Sequence, residues 1–335
     1  MSLFETNPIV ALSELTDGQE ADCFALLADK QQLLTRDNKP YYRVTFRDAK
    51  RDVTFPIWSD APLCVPCRDE WQVGQFYKLR TLYRETNYGP QLEIRKIRPV
   101  EPGDSADGFD PLMCQPRSRF EAAEMYADLM ALAAEHITCE PLRELVVGLF
   151  EEHKECLLVW PAAVRNHHAY ISGWLEHVRN VTRTAAYLAN YYAEIYPHAT
   201  PPLDKGLVVA GAMLHDIGKI QELRTTPMGA EYTASGGLIG HVLQGRDLVR
   251  DSLLAEKLDA EMLLRLEHII VSHQRLPEWG SPKPPMTPEA MLVHFADDCD
   301  AKFLMVINAI AEDAGGGPLT SRRNPLNQNM YRGGE

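Results

Sequence analysis

The chain of 335 residues lacks an apolar run of the roughly 20 residues that a membrane-spanning helix needs. Its first 22 residues carry acidic side chains and no basic segment followed by an apolar one, a pattern that does not predict secretion. The seven cysteines are odd in number and irregularly spaced, as expected of reduced thiols. We therefore expect a cytoplasmic protein with no membrane partner.

A second cysteine motif that would complete a zinc site is also missing. Cys64-Val-Pro-Cys67 is a single CxxC, whereas a structural zinc ion takes four ligands. We interpret Cys64 and Cys67 as two free thiols.

Basic residues are comparatively few. The chain has 34 Lys and Arg against 47 Asp and Glu, a formal net charge of -13. Residues 1–100 hold equal numbers of both signs, so the rest of the chain carries the whole excess. This balance argues against broad neutralisation of a nucleic-acid backbone, but it allows a local groove and acidic metal ligands.

The first hundred residues show the pattern of a small β-barrel. Short alternating or β-branched runs are separated by turn residues at 37–40, near Lys50 and at 87–90. Five strands with an interruption at 63–71, between the third and the fourth, favour a Greek-key barrel of the OB type, although an SH3-like barrel would give a similar pattern. The predicted strands are 21–34, 41–46, 53–58, 76–83 and 92–97.

Alternation in the second and third strands assigns their side chains to two faces. Those predicted to point into the barrel are Tyr42, Val44, Phe46, Phe55 and Ile57. The outward face presents rings and guanidinium groups, which suit stacking on the bases of single-stranded RNA or DNA. Its members are Tyr41, Arg43, Thr45, Arg47 and Trp58. The alternative is a set of ordinary solvated positions, with Trp58 tucked under a loop.

After the barrel the chain changes character. Residues 101–117 have the composition of a linker, and beyond them apolar residues recur with helical spacing. The predicted helices are 118–136, 140–159, 171–196, 203–216, 238–257, 260–273 and 288–312. The sequence thus predicts an OB-like domain at 1–100, a linker at 101–117, an all-α domain at 118–312 and a polar tail at 313–335.

His215 and Asp216 stand side by side at the end of an apolar helical run, and Gly218 and Lys219 follow. Adjacent helical side chains point about 100° apart, so the pair shares a surface patch poorly but can converge on an ion at the helix end. An imidazole nitrogen with a carboxylate oxygen suits zinc, manganese or iron better than calcium or magnesium.

Further candidate ligands lie on other predicted helices, which is how a helical bundle builds a metal site. They are His177, His241, His273 and Asp297. Two ions about 4 Å apart could share Asp216. His177, His215 and Asp297 would then bind one ion, and His241 and His273 the other.

A lone histidine on an apolar helix face is more often a core or surface residue than a ligand. We assign that role to His268 and His294. Asp298 and Asp300 are interpreted as charges on a helix surface.

The order of the candidate ligands resembles the HD-domain metal-dependent phosphohydrolases. Residues 15–310 are most similar to the YhaM-type 3′–5′ exoribonucleases, in which an OB-fold precedes an HD domain. The matching segments are His167-His168-Ala-Tyr-Ile-Ser-Gly-Trp-Leu-Glu-His177, Leu214-His215-Asp216-Ile-Gly-Lys219, Gly240-His241, Val271-Ser-His273, Glu278-Trp-Gly-Ser-Pro-Lys-Pro-Pro-Met-Thr-Pro-Glu-Ala290 and His294-Phe-Ala-Asp297-Asp-Cys-Asp-Ala-Lys302.

The resemblance implies hydrolysis of single-stranded RNA, or also DNA, by water activated on two divalent ions bound through Asp216 and its partners. Manganese is the expected metal, with iron, cobalt, zinc and magnesium as alternatives. Lys219 would contact a phosphate oxygen, its alternative being a surface lysine at a helix end. His167 and His168 would bind phosphate or protonate the leaving oxygen. Members of that family often have a second histidine directly after the one that corresponds to His273, whereas this chain has Gln274 there.

Two other functions remain open at this stage. The first is an HD-type nucleotidase or phosphodiesterase that acts on small nucleotides. The second is a nucleic-acid-binding protein whose metal site is vestigial. The sequence predicts no oligomeric state.

Overall fold

The computed structural model describes residues 8–87 and 89–334. They form two compact units. The first extends to Arg117 and includes Thr226–Gly229; the second consists of Ser118–Thr225 and the chain from Ala230 onward.

The first unit is built on one antiparallel five-stranded sheet in the order β3-β2-β1-β4-β5. β3 also contacts β5, so the sheet curls towards closure. A short helix, α1 (Cys64–Asp69), occupies the predicted interruption between β3 and β4. The strands are β1 (Glu20–Leu34), β2 (Pro40–Arg47), β3 (Asp52–Trp58), β4 (Phe76–Thr86) and β5 (Gly89–Pro99). This topology confirms the predicted OB-like barrel.

The long strand β1 joins the two halves of the barrel. Its first half pairs with β4 and its second half with β2, with a register shift between Leu27 and Asp29 where the strand bends. The side chains that alternation assigned to the interior, on β2 and β3, are all buried. They pack with Trp71 and Tyr77 in one apolar core. Cys64 and Cys67 of α1 are both free thiols.

The segment predicted as a linker is packed against the sheet. It contains two 3-10 helices, Pro102–Asp107 and Pro111–Cys114. Between them Phe109 contacts Phe24 and Phe76, with ring centroids 5.1 and 5.3 Å apart. The Gly- and Pro-rich composition therefore marks a lack of regular structure here, not a lack of packing.

The second unit is predominantly helical. Its bundle centres on α5, α6 and α11, which pack against one another. α6 is buried from Gly206 through Leu214, as expected for a helix that is apolar on all sides. The helices are α2 (Ala122–His136), α3 (Glu140–Glu152), α4 (Lys154–Leu157), α5 (Gly173–Ile195), α6 (Lys205–Leu214), α7 (Lys219–Glu222), α8 (Ala234–Leu238), α9 (His241–Asp251), α10 (Ala260–Ser272) and α11 (Pro288–Glu312). Within the described residues, no helix combines the length and the apolarity needed to cross a bilayer.

The helical region differs from its prediction in three places. The helix predicted at 140–159 is divided at His153 into α3 and α4. A hairpin of β6 (Leu223–Thr226) and β7 (Gly229–Tyr232) lies within the region predicted as all-α. The helix predicted at 238–257 is interrupted, because Gly240 adopts a φ of +82° and α9 begins only at His241. This break places His241 in the first turn of a helix.

Candidate metal centre

Five helices bring six candidate ligands to one buried cluster. α5 supplies an imidazole, the residues just after α6 an imidazole and a carboxylate, and α9, α10 and α11 one side chain each. Every one except His241 is buried, and the side chain of His241 is only 12% exposed. The six residues are His177, His215, Asp216, His241, His273 and Asp297.

One half of the cluster surrounds His177. Its Nε2 lies 3.2 Å from Oδ1 of Asp297 and 3.5 Å from Oδ2 of Asp216. Nε2 of His215 lies 3.3 Å from Nε2 of His177 and 3.5 Å from the same Asp216 oxygen. Ligand atoms of His177, His215 and Asp216 lie close enough together to share one ion.

The other half uses the second oxygen of Asp216. Oδ1 lies 3.3 Å from Nε2 of His241 and 3.6 Å from Nε2 of His273. Asp216 Oδ1 and His241 Nε2 are buried, and neither has a hydrogen-bond partner in the described part of the chain. Buried polar atoms are normally satisfied, so two such atoms facing each other fit a bound cation. Asp216 thus lies between two groups of donors.

In two of the four histidines, a backbone carbonyl oxygen binds the ring nitrogen that faces away from the cluster. Nδ1 of His215 donates to the carbonyl of Ala212, and Nδ1 of His273 donates to that of Ile270, each at 2.7 Å. A proton fixed on Nδ1 leaves Nε2 as the lone-pair nitrogen that a metal requires. Both residues cap the ends of their helices, which is why a carbonyl three residues earlier is within reach.

Carboxylates hold the other two imidazoles. Oε1 of Glu222 lies 2.9 Å from Nδ1 of His241 and also accepts from the backbone N–H of that residue. Oδ2 of Asp300 lies 2.8 Å from Nδ1 of His177. Such carboxylate–histidine pairs orient the ring and raise its basicity as a ligand.

Asp300 corrects the prediction of a surface charge. Besides His177, it is hydrogen-bonded to Nε2 of His168 at 2.9 Å and to the amide of Asn180 at 3.0 Å. The signal in the sequence was its position three residues after Asp297, which places both carboxylates on the same face of α11.

The two adjacent histidines before α5 have different environments. Both ring nitrogens of His168 have partners, since Nδ1 lies 2.9 Å from the Tyr170 hydroxyl and Nε2 binds Asp300. Nδ1 of His167 is buried without a hydrogen-bond partner in the described residues. This geometry favours a positioning role for His168 and leaves His167 available to a ligand.

Lys219 belongs to the cluster. Its Nζ lies 2.6 Å from Oδ2 of Asp216, and its side chain is only 8% exposed. The structure therefore excludes the alternative of a surface lysine. His268 and His294 lie outside the cluster, as predicted, with a ring nitrogen of each hydrogen-bonded to the backbone.

Gly218 has a packing role that the sequence interpretation missed. Its φ of -63° is an ordinary helical value, so it is no left-handed helix terminator. A Cβ on Gly218 would lie 2.0 Å from the carbonyl oxygen of His241 and 2.4 Å from the backbone nitrogen of Gly245. The absent side chain lets α9 approach closely enough for His241 to reach Asp216.

Burial and charge set the protonation of the cluster. Burial would raise the pKa of Asp216, but Lys219 and the surrounding imidazoles outweigh it and hold that pKa well below its usual value. Burial lowers the pKa of His215 to about 4 and that of His167 to about 3. For His177, burial would lower the pKa, but its bonds to carboxylates prevail and raise it to about 9. Asp216 is therefore anionic, and His215 and His167 are neutral, at pH 7.

The cluster borders a cleft of about 660 Å³ in the helical unit. Its polar and aromatic lining consists of two imidazoles, the Lys219 ammonium, the Arg165 guanidinium, the Glu222 carboxylate, two amides and two aromatic rings. Among its lining residues are His167, Lys219, Tyr232, His241, Gln274 and Trp279. A ligand in this cleft would meet both cationic and aromatic groups.

The predicted outward face of the barrel presents an aromatic pair. The rings of Tyr41 and Trp58 lie 5.0 Å apart on neighbouring strands, and Trp58 is 49% exposed. The alternative with Trp58 tucked under a loop is therefore wrong. Arg43 and Arg47 lie on the same strand as Tyr41, and each hydrogen-bonds a side chain of the sheet.

Comparison with known families identifies the helical region. Residues 174–302 match the family model described as "HD domain". The segment contains all six candidate ligands, and the match confirms the HD-domain prediction for this region. HD domains are a superfamily of metal-dependent hydrolases, which supports a phosphohydrolase.

Two solved structures from Methanococcus maripaludis are similar to part of the chain: a crystal structure of a domain of replication protein A and the solution NMR structure of its second OB-fold domain. They are 12% and 13% identical to this chain, cover 28% of it, and are themselves covered to 96% and 95%. With TM-scores of 0.23 and 0.21, they add no weight to the barrel assignment, which rests on its own strand topology.

Proposed function

We propose that this protein is a metal-dependent 3′–5′ exoribonuclease that hydrolyses single-stranded RNA, with single-stranded DNA as a second substrate. The observation that carries the proposal is the position of Asp216, whose two oxygens each face a separate pair of imidazoles beside a cleft. The 3′ polarity rests on the resemblance to the YhaM-type enzymes.

The donor set fits two divalent cations. His177, His215 and Asp297 would hold one and His241 and His273 the other, with Asp216 shared between them. Nitrogen and carboxylate donors suit manganese, iron, cobalt and zinc better than magnesium, and manganese is the metal expected from the resemblance. When bound, such ions lower the pKa of water and neutralise the charge that develops on a phosphoryl group.

The surrounding residues prepare the cleft for a phosphodiester. Lys219 is held by Asp216 at the wall of the cleft, where its charge can stabilise a non-bridging phosphate oxygen. His167 is neutral and its Nδ1 is buried without a hydrogen-bond partner in the described residues, so it would act as a hydrogen-bond partner of substrate and not as a resident acid. His168 and Asp300 position His177.

The barrel would bind the strand that the helical unit shortens. Exposed aromatic rings stack on bases without reading their sequence, and nearby guanidinium groups follow the backbone. Tyr41 and Trp58 supply the rings, and Arg43 and Arg47 the guanidinium groups.

The direct test is digestion of one oligoribonucleotide labelled at either end, in manganese and in chelator. A 3′–5′ exonuclease gives a ladder from the 5′-labelled strand and only mononucleotide from the 3′-labelled strand, and the chelator stops both. Hydrolysis of free nucleotides with an intact oligomer would favour the small-nucleotide alternative. Absence of bound metal and of hydrolysis would favour the binding protein.

A further inference from the structure

Two exposed aromatic rings in the cleft have no part in the chemistry above. Trp279 is 49% exposed and Tyr232 is 59% exposed, and both line the cleft that contains Lys219 and His241. Single exposed rings are common on protein surfaces. Two rings in one cleft beside a buried ammonium group form a more specific combination, because an aromatic face and a cation are what a nucleotide's base and phosphate require.

The backbone around Trp279 is fixed close to the candidate ligands. Trp279 closes a single 3-10 turn, Pro277–Trp279. Two residues later the side chain of Ser281 is wholly buried, and its hydroxyl accepts from the backbone N–H of Gln274 at 3.0 Å. Gln274 directly follows His273. The turn that carries the indole is therefore tied to the end of α10, where that ligand lies.

A second cation accompanies the indole. Nζ of Lys302 lies over the ring of Trp279, 5.7 Å from its centroid, and forms an ion pair of 2.7 Å with Asp298. A cation near an indole is attracted by the ring's negative face. This contact limits the orientations open to the ring while the indole remains half exposed.

We propose that Trp279 is a stacking platform for the base of the terminal nucleotide, with Tyr232 as a second ring of the same subsite. The proposal rests on the proposed function and specifies what that site recognises: a purine or pyrimidine base whose phosphate lies towards Lys219. Stacking uses the π-face that every base has, so the subsite accepts all four bases.

The test measures binding rather than hydrolysis, so it stands apart from the exonuclease assay. Titration calorimetry of the full chain with manganese compares adenosine 5′-monophosphate with ribose 5-phosphate, which lacks only the base. We expect the wild type to bind the nucleotide roughly tenfold more tightly. Trp279→Ala should remove this preference without weakening ribose 5-phosphate, and Trp279→Phe should keep most of it.

The control is Tyr187→Ala, which removes an exposed ring of the same unit that does not line the cleft. This variant should bind both ligands as the wild type does. Equal affinities in the wild type, or an equal loss of both ligands in Trp279→Ala, would overturn the subsite. A wild type that shows the preference but cleaves no oligomer would retain the subsite and refute the exonuclease.

Discussion

The barrel and the helical unit hold their candidate functional side chains in opposite ways. Tyr41 and Trp58 stand on adjacent strands in register, with Trp58 about half exposed and Tyr41 partly buried. The candidate metal ligands come from five helices and are buried except for the partly buried His241, and the outer nitrogen of each of the four imidazoles is bound by a carbonyl or carboxylate oxygen. A binding face made by local pairing tolerates single changes, whereas a site made by convergence depends on each helix that reaches it.

The strongest test of this contrast is Asp216→Ala. Because both oxygens of Asp216 face candidate ligands, the change should reduce hydrolysis at least about 1000-fold and remove high-affinity manganese binding. Circular dichroism should show a folded chain. Undiminished activity at saturating manganese would contradict the shared-ligand role.

Gly218→Ala tests the dependence of the site on packing. The new methyl group would meet the backbone of α9, so we expect the free energy of unfolding to fall by about 1–3 kcal/mol, and manganese affinity to fall with it as His241 moves. Chemical denaturation and calorimetry measure the two effects.

A matched control for that variant is Gly237→Ala, because a Cβ there meets nothing within 4 Å. Gly237 lies within α8, so alanine should be neutral or stabilising by up to about 1 kcal/mol. Equal behaviour of the two variants would remove the argument for close approach at Gly218.

Asp300→Asn is expected to act through His177. Losing the carboxylate that fixes Nδ1 should lower manganese affinity about 10–100-fold while leaving the fold intact. Cobalt substitution adds a spectroscopic test, since the absorption of the bound ion should change. Asp298→Asn is the control, because Asp298 pairs with Lys302 on the same helix. If Asp300→Asn left the manganese affinity and the cobalt spectrum unchanged, His177 would be oriented without Asp300.

The smallest effect on hydrolysis is expected from changes in the barrel. Tyr41→Ala combined with Trp58→Ala should weaken binding of a long oligonucleotide by about 1–3 kcal/mol per lost stack. Hydrolysis of a short diester should hardly change. Fluorescence anisotropy measures the first quantity and steady-state kinetics the second. An equal loss on both substrates would refute a separate binding face.

Local pattern was enough to predict the barrel and the helices, because alternation and helical spacing are properties of neighbouring residues. Alternation alone predicts that Phe46 lies inside the barrel and Trp58 outside it, as the structure shows. The spacing of Asp300 from Asp297 places it on the inward face of α11, but its bond to His177 and the packing of the region 101–117 on the sheet depend on contacts distant in sequence, which local pattern does not show. The role of Gly218 was hidden for the same reason.

One oxygen atom, Oε1 of Glu222, receives both the backbone N–H and the ring of His241. The start of α9 and the orientation of the imidazole therefore share a single anchor, and fraying of that helical turn would release both at once. The rate at which the His241 amide proton exchanges with solvent should thus report how often the site opens, in the absence of any substrate.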